Sequence, residues 1–416
     1  MMRKILFFVV LSGFAVLCSG CMSGNSRQDT ATYHKETLTE IAEESENLNC
    51  TFDNLDLSDV SVSVPDVDEI STVVFPVSAD SLEEQTTKFE YDIRQMENLD
   101  EGADLTPYMN IMYWDYDLND RVVVPYEEAT DEQLDMIQYL SYNDGVCSAL
   151  VVFSDFMLEI GNYSLPLDLT GDNADYTDNA YGYRAVDLGT PVETFHLPAD
   201  DISNVTYRLA DGEMPLREAV SYTEQHIKED YYFVGSDLLD YYVSEVQVRQ
   251  LQENVYYYQF RIQASYQGVR LNKDGGVELG TDDEETDPLA NTVFGTEHKA
   301  SMFQKNSLDF IWSSCHSYEA AEIQETYTEF ISPEDACELL SEEISGKNTF
   351  RVDMIELLYQ TEFQYESEEK REYGYIQSVY CHPVWHFTIK NPGISGYENI
   401  YFDVDALTGE VITMVS

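Results

Sequence analysis

Basic side chains are scarce in this chain, with 22 Lys and Arg against 79 Asp and Glu in 416 residues and a formal net charge of −57. A surface this acidic repels phosphate backbones, which excludes nucleic-acid binding as the main activity. It also disfavours adsorption on anionic lipid through charge alone. The motifs of several common chemistries are missing too. There is no GxSxG elbow, no GxxxxGK[ST] phosphate loop, no GxGxxG after a strand and no HExxH. Beyond the N-terminus no stretch approaches eighteen continuous apolar residues, so nothing there reads as a membrane span. Apolar residues are not short, however. At 43% hydrophobic and 13% aromatic, the chain can bury sizeable cores, and its length predicts two or three compact units.

Cysteine offers little framework. After Cys18 and Cys21 come Cys50, Cys147, Cys315, Cys337 and Cys381, an odd number at wide spacings with no CxxC pair among them. Cys337 falls on the apolar face of a helix, where a small buried residue is the plain reading. Two Cys-His dipeptides, Cys315-His316 and Cys381-His382, place their side chains on opposite faces of a strand, which argues against a shared zinc. His382 and His386 are four apart, but Pro383 and the VWHFTI run predict a strand. Their Cα atoms then stand about 13 Å apart, too far for one zinc. No cofactor is expected. Calcium is the remaining weak candidate, at two acidic runs: Asp168, Asp172, Asp175 and Asp178, then Asp282 to Asp287. Neither fits an EF-hand loop, and solvated loops are the default in so acidic a chain.

The N-terminus carries the clearest signal. Arg3 and Lys4 precede an apolar run from Ile5 to Leu17, which meets Cys18-Ser19-Gly20-Cys21. Such a run suits an export signal rather than a permanent span. Small residues before Cys21 resemble the lipobox of bacterial lipoproteins, although Cys18 stands where Leu is commonest. The resemblance implies a signal peptide over 1–20, lipidation at Cys21, and a mature body of charge −59 outside the cytoplasm, attached to the cell membrane by its lipid. Residues 21–49 are polar and read as a flexible tether.

Strand and helix patterns follow in mixture through 50–200, which predicts an N-terminal α+β domain. Within it, Ser81 begins a capping-box spacing before a helix to Leu99, and Thr130 caps a helix over Asp131–Leu140. Beyond it the pattern predicts one element occurring twice. PLREAVSYTEQHI near Pro215 and SPEDACELLSEEI near Ser332 both show helix periodicity, and each precedes a β-rich stretch.

The final residues, Tyr401 to Ile412, read as two short strands around a tight turn. Asp405 bonds the turn backbone, Gly409 supplies a positive φ, and Val404 and Val411 pair. This D-A-x-T-G-E turn, with Pro383, Trp385 and the upstream helix, resembles the end of PepSY-like domains, and so the related YycH/YycI regulators of an envelope-sensing histidine kinase. The resemblance covers Ser332 to Ser416 best and leaves 50–200 unexplained. It implies an α+β fold in which the N-terminal mixed unit is followed by two helix-on-antiparallel-sheet modules, over 201–315 and 325–416.

Taken together, the expectation is a lipid-anchored extracytoplasmic protein that binds and modulates an envelope protein or peptide, such as a sensor kinase or protease, without catalysis. No catalytic residue stands out, because with 79 acids every carboxylate spacing occurs. The alternative is a binder of cell-surface glycan or peptidoglycan. The chain has 31 tyrosines, and Tyr231-Tyr232, Tyr241-Tyr242 and Tyr256-Tyr257-Tyr258 could offer flat platforms for sugar rings.

Overall fold

In the computed structural model, the described residues are 33–44, 48, 52–58, 60–77, 82–115, 118, 120–134, 136–152, 157–162, 189–197, 200–231, 238–272, 297–314, 318, 320–344, 349–365, 376–390 and 399–413. Lys35–Ser416 cluster as one unit, separate from Met1–His34. The first elements are β1 (Lys35–Thr37), α1 (Leu38–Glu44), β2 (Leu55–Asp56), β3 (Ser61–Ser63), β4 (Ile70–Pro76) and α2 (Leu82–Glu97). A run of antiparallel strands follows: β5 (Met109–Asp115), β6 (Asp120–Pro125), β7 (Tyr139–Asn143), β8 (Cys147–Val152) and β9 (Met157–Asn162), with the short α3 (Asp131–Leu134) before β7. The middle holds β10 (Thr190–His196), β11 (Thr206–Leu209), β12 (Gly212–Pro215) and α4 (Leu216–Glu229). After these come β13 (Asp240–Gln252), β14 (Val255–Tyr266), β15 (Val269–Arg270), β16 (Glu297–Met302) and β17 (Phe310–Ser314). The C-terminal part contains β18 (Glu322–Tyr327), β19 (Glu329–Ile331), α5 (Pro333–Glu343), β20 (Phe350–Tyr365), β21 (Ile376–Lys390), β22 (Asn399–Asp405) and β23 (Val411–Thr413).

These strands build two large sheets. Eleven strands form the first, ordered β10-β13-β14-β16-β17-β9-β8-β7-β5-β6 with β15 beside β14. The second has eight and is centred on the long β20–β21 hairpin. One edge of β21 is paired with β4 and then β22, and the outer edge of β20 is met between Phe350 and Tyr359 by β2, β3 and a bridge from Leu271 to Tyr359. Short strands laid along both sides shorten the hairpin's open edges, which reduces an aggregation-prone surface.

Each sheet has its own apolar cluster. On the first, α2 and α4 bury Phe89, Ile93, Leu216, Ala219 and Ile227 against Val246, Phe260 and Ile311. On the second, α1 and α5 bury Ile41, Ala336, Cys337 and Leu340 against Ile355, Trp385 and Phe387. Trp385 is fully enclosed, and its indole Nε1–H donates to the Ile331 carbonyl at 2.8 Å. That bond satisfies the one polar atom a buried indole carries.

This architecture overturns the expected arrangement of an N-terminal α+β unit followed by two helix-on-sheet modules. The protein is predominantly β, with 23 strands against five α-helices among the described residues. The order of a helix and then a long hairpin does occur twice, as α4-β13-β14 and α5-β20-β21. Each hairpin, though, is the middle of a sheet that recruits strands from the N-terminal half. β9 pairs with β17 in one and β4 with β21 in the other, so the stretch 50–200 is divided between both sheets. The reason is edge pairing. A four-stranded module would leave the long hairpins' N–H and C=O groups open, and the distant strands close them.

Candidate functional site

A groove of about 580 Å³ opens where α4, the loop after β10, and β13 meet. Its loop wall is set by main-chain bonds. The Leu197 N–H donates to Ser244 O at 2.8 Å, and the Asp200 N–H to His196 O at 2.9 Å. Asp200 Oδ2 in turn accepts the His196 N–H at 2.7 Å, and Asp201 Oδ1 accepts the Ser203 N–H at 2.9 Å. Short acidic side chains favour this local bonding to nearby amides. The opposite wall is α4, which presents Arg217, Val220, Ser221 and Glu224 at helical spacing. Leu197 and Ile202 supply apolar surface, and Tyr242 and Arg270 close the end.

The charges in the groove differ in how far they are committed. Glu224 Oε1 accepts the Val243 N–H at 2.9 Å, and burial raises this carboxyl above its usual range. The Asp201 carboxyl is held below its ordinary range, first by the Ser203 hydroxyl and amide and more weakly by the charge of Arg217. Arg270 Nη1 lies 3.0 Å from Glu356 Oε1, while its guanidinium sits 5.1 Å from the centroid of the Tyr242 ring. Tyr242 Oη donates to Gln263 Oε1 at 2.9 Å. Arg217 is exposed and makes no hydrogen bond or ion pair with any described residue.

Arg270 also connects the groove to a buried polar cluster on the second sheet. Glu356 faces His386 on the adjacent strand, and His386 Nδ1 lies 2.7 Å from Asp403 Oδ1 on the strand beyond. Asn272 Nδ2 donates to Asp403 Oδ2 at 3.3 Å, and the Tyr401 ring stacks on His386 at 5.3 Å. A carboxylate-oriented imidazole is half of a nucleophile-activating arrangement. Here both partners are buried, His386 at 3% exposure and Asp403 at 0%. Cys381 lies an odd number of residues away on the same strand and points to the other face. The cluster therefore ties β15 to the register of β21 and β22.

His382 and His386 share one strand face, as their spacing implies, but each has its own carboxylates. His382 Nε2 lies 3.8 Å from Asp405 Oδ2, and its Nδ1 lies 3.9 Å from Glu362 Oε1. Among the described residues no group of three or more His, Cys, Asp or Glu is placed to hold a metal ion. Cys147, Cys337 and Cys381 are buried, and burial pushes the Cys147 and Cys381 thiols up. Cys21, Cys50, Cys315, His316, Tyr232 and both acidic runs lie outside the described residues.

The tyrosines named as sugar platforms are largely packing residues. Tyr231, Tyr257 and Tyr258 are buried. Tyr257 stacks on Phe303 at 4.3 Å, and Tyr258 donates to Met214 O at 2.6 Å. Of those among the described residues, Tyr242 alone lines the groove. Sequence reasoning passed over Arg217, Arg270, Asn272 and Asp403. For Arg217 a signal existed: a cation in the first turn of a helix opposes the helix dipole, which is conspicuous in a chain with so few cations.

No family model and no curated protein matches the chain. Among solved structures it is similar to that of an uncharacterized protein from Eubacterium rectale ATCC 33656, at 12% identity over 86% of this chain and 92% of that one, with a TM-score of 0.46.

Proposed function

We propose that this is a lipid-anchored extracytoplasmic protein that binds an envelope protein or peptide and modulates it, acting by binding rather than by catalysis. The observation that carries the reading is the groove between α4 and the loop after β10, with its apolar floor and mixed charges. Its acids support binding over chemistry, since Asp200, Asp201 and Glu224 each accept a main-chain amide. A Cys21 anchor would hold the acidic body at the membrane, while its charge keeps it clear of anionic headgroups.

Two experiments test the two halves. Cys21→Ala is expected to abolish lipid labelling and release the protein from membranes; unchanged labelling and retention would overturn the anchor. A photo-crosslinker at Ser221, in the full lipidated chain in its membrane, is expected to capture one envelope protein or peptide. The same crosslinker at the exposed Val123 on β6 should not. No product, or identical products from both positions, would overturn the binding reading.

A further inference from the structure

We propose that His382, Glu362 and Gln360 form a site for a divalent transition-metal ion of the zinc class, on the second sheet and apart from the groove. Gln360 on β20 and His382 on β21 stand directly opposite in register, so both side chains project from one face of the sheet. They are 8% and 5% exposed, yet neither Gln360 Oε1 nor His382 Nδ1 has a hydrogen-bond partner among the described residues. Buried polar atoms ordinarily find partners, and leaving two neighbours unmet carries a desolvation cost that a bound ligand would offset. Glu362 lies two residues along β20 on the same face, and its Oε1 stands 3.9 Å from Nδ1, too far for a hydrogen bond. Its side chain is 53% exposed, so an ion can enter from that side.

The other ring nitrogen decides what the gap can hold. Asp405 Oδ2 lies 3.8 Å from Nε2, and its Oδ1 is fixed by the Leu407 and Thr408 amides. Tyr380 stacks on the imidazole at 5.5 Å and holds the plane of the ring. Asp405 is 17% exposed against 53% for Glu362, so water screens its charge less and the ring proton is held on Nε2. Nδ1 then turns a lone pair toward the Glu362 carboxylate, on the face that also carries the unmet Gln360 oxygen. Electron-pair donors without a proton between them suit a cation. An imidazole beside two oxygens selects a zinc-class ion over calcium or magnesium, and a carboxylate at the far ring nitrogen is the usual support of a metal-bound histidine. Two metal–ligand bonds of about 2.1 Å span the 3.9 Å gap at an angle wider than tetrahedral. With an amide as third ligand, and water completing the shell, binding is expected to be weaker than at a structural zinc site.

The test uses the full mature chain, stripped of metal by a chelator, with Zn²⁺ as the probe. Exposed carboxylates of a chain with net charge −57 also take up zinc, so binding is read at the ring itself, from the His382 side-chain nitrogen shifts of isotope-labelled protein. The metal-free ring is expected to carry its proton on Nε2. Zn²⁺ is expected to shift Nδ1 saturably, and Ca²⁺ at the same concentration to leave it in place. Glu362→Gln should weaken the zinc response at least about tenfold, while Glu322→Gln, on the exposed β18, should not. Glu362 is largely exposed, so an unchanged melting temperature separates lost binding from lost fold. Gln360→Leu should also weaken it and leave the metal-free chain at least as stable, because it removes an unmet buried oxygen. A ring protonated on both nitrogens at neutral pH would overturn the site, and so would an Nδ1 that zinc does not shift. An equal shift with Ca²⁺, or a zinc response unchanged by either Glu362→Gln or Gln360→Leu, would do the same.

Discussion

His298 and Asp309 are enclosed ionisable groups that burial moves in opposite directions. The His298 imidazole is pushed down to about 4, whereas burial raises the Asp309 carboxyl to about 6 against its bonds from Phe303, Ser307 and Gln304. For His298 the unfolded chain takes up the proton first, so its contribution to stability is lost as pH falls from about 6.5 to 4. For Asp309 the folded chain keeps the proton longer, so its contribution is lost as pH rises from about 4 to 6. Each is worth on the order of 3 kcal/mol, and the two offset one another across the same window. Asp309→Asn should therefore make stability rise more steeply with pH between about 4 and 6 than in the parent chain. Urea midpoints across that range check it, and an unchanged slope would refute the assignment.

Some single residues were legible from their neighbours alone. Asp405 Oδ1 accepts the Leu407 and Thr408 amides at 2.8 and 2.7 Å, Gly409 has a φ of 78°, and Val404 pairs with Val411, all as the turn pattern implies. Arg217 was not legible in this way. Its place beside the loop at Asp200–Ser203 arises only through folding.

Helix caps behave as local chemistry dictates, although helix ends do not. Ser332 Oγ accepts the Asp335 N–H at 3.1 Å at the start of α5. Ser332→Ala is expected to cost about 1 kcal/mol in urea denaturation, with Ser332→Asp recovering most of it. A loss below a few tenths would show that the cap is redundant. Thr130 and Gln133 form the reciprocal box that begins α3, yet the helix stops at Leu134 rather than Leu140. Leu140 and Tyr142 are buried in β7 between β5 and β8, where pairing on both sides outweighs the preference for continuing a helix.

The way the two sheets are shared also decides what can fold alone. The segment 325–416 contains α5, β20 and β21, but it lacks β4, β2 and β3, together with Ile70, Val73 and Phe75 of the same apolar cluster. Expressed by itself, it is expected to show no cooperative thermal transition, while the chain from Met22 onward melts cooperatively. A dispersed spectrum and a sharp melt from the fragment would show that the borrowed strands are dispensable.

Charge, the export-like N-terminus, the helix of each long hairpin and the final turn all follow from residues close together in the chain. Their physics is short-ranged: periodicity, capping, and side chains bonding to adjacent amides. Which strands share a sheet, which tyrosines are buried, and how Arg217 comes to face an acidic loop depend on contacts hundreds of residues apart. There the need to pair open strand edges and cover apolar faces selects among partners that local pattern leaves equivalent.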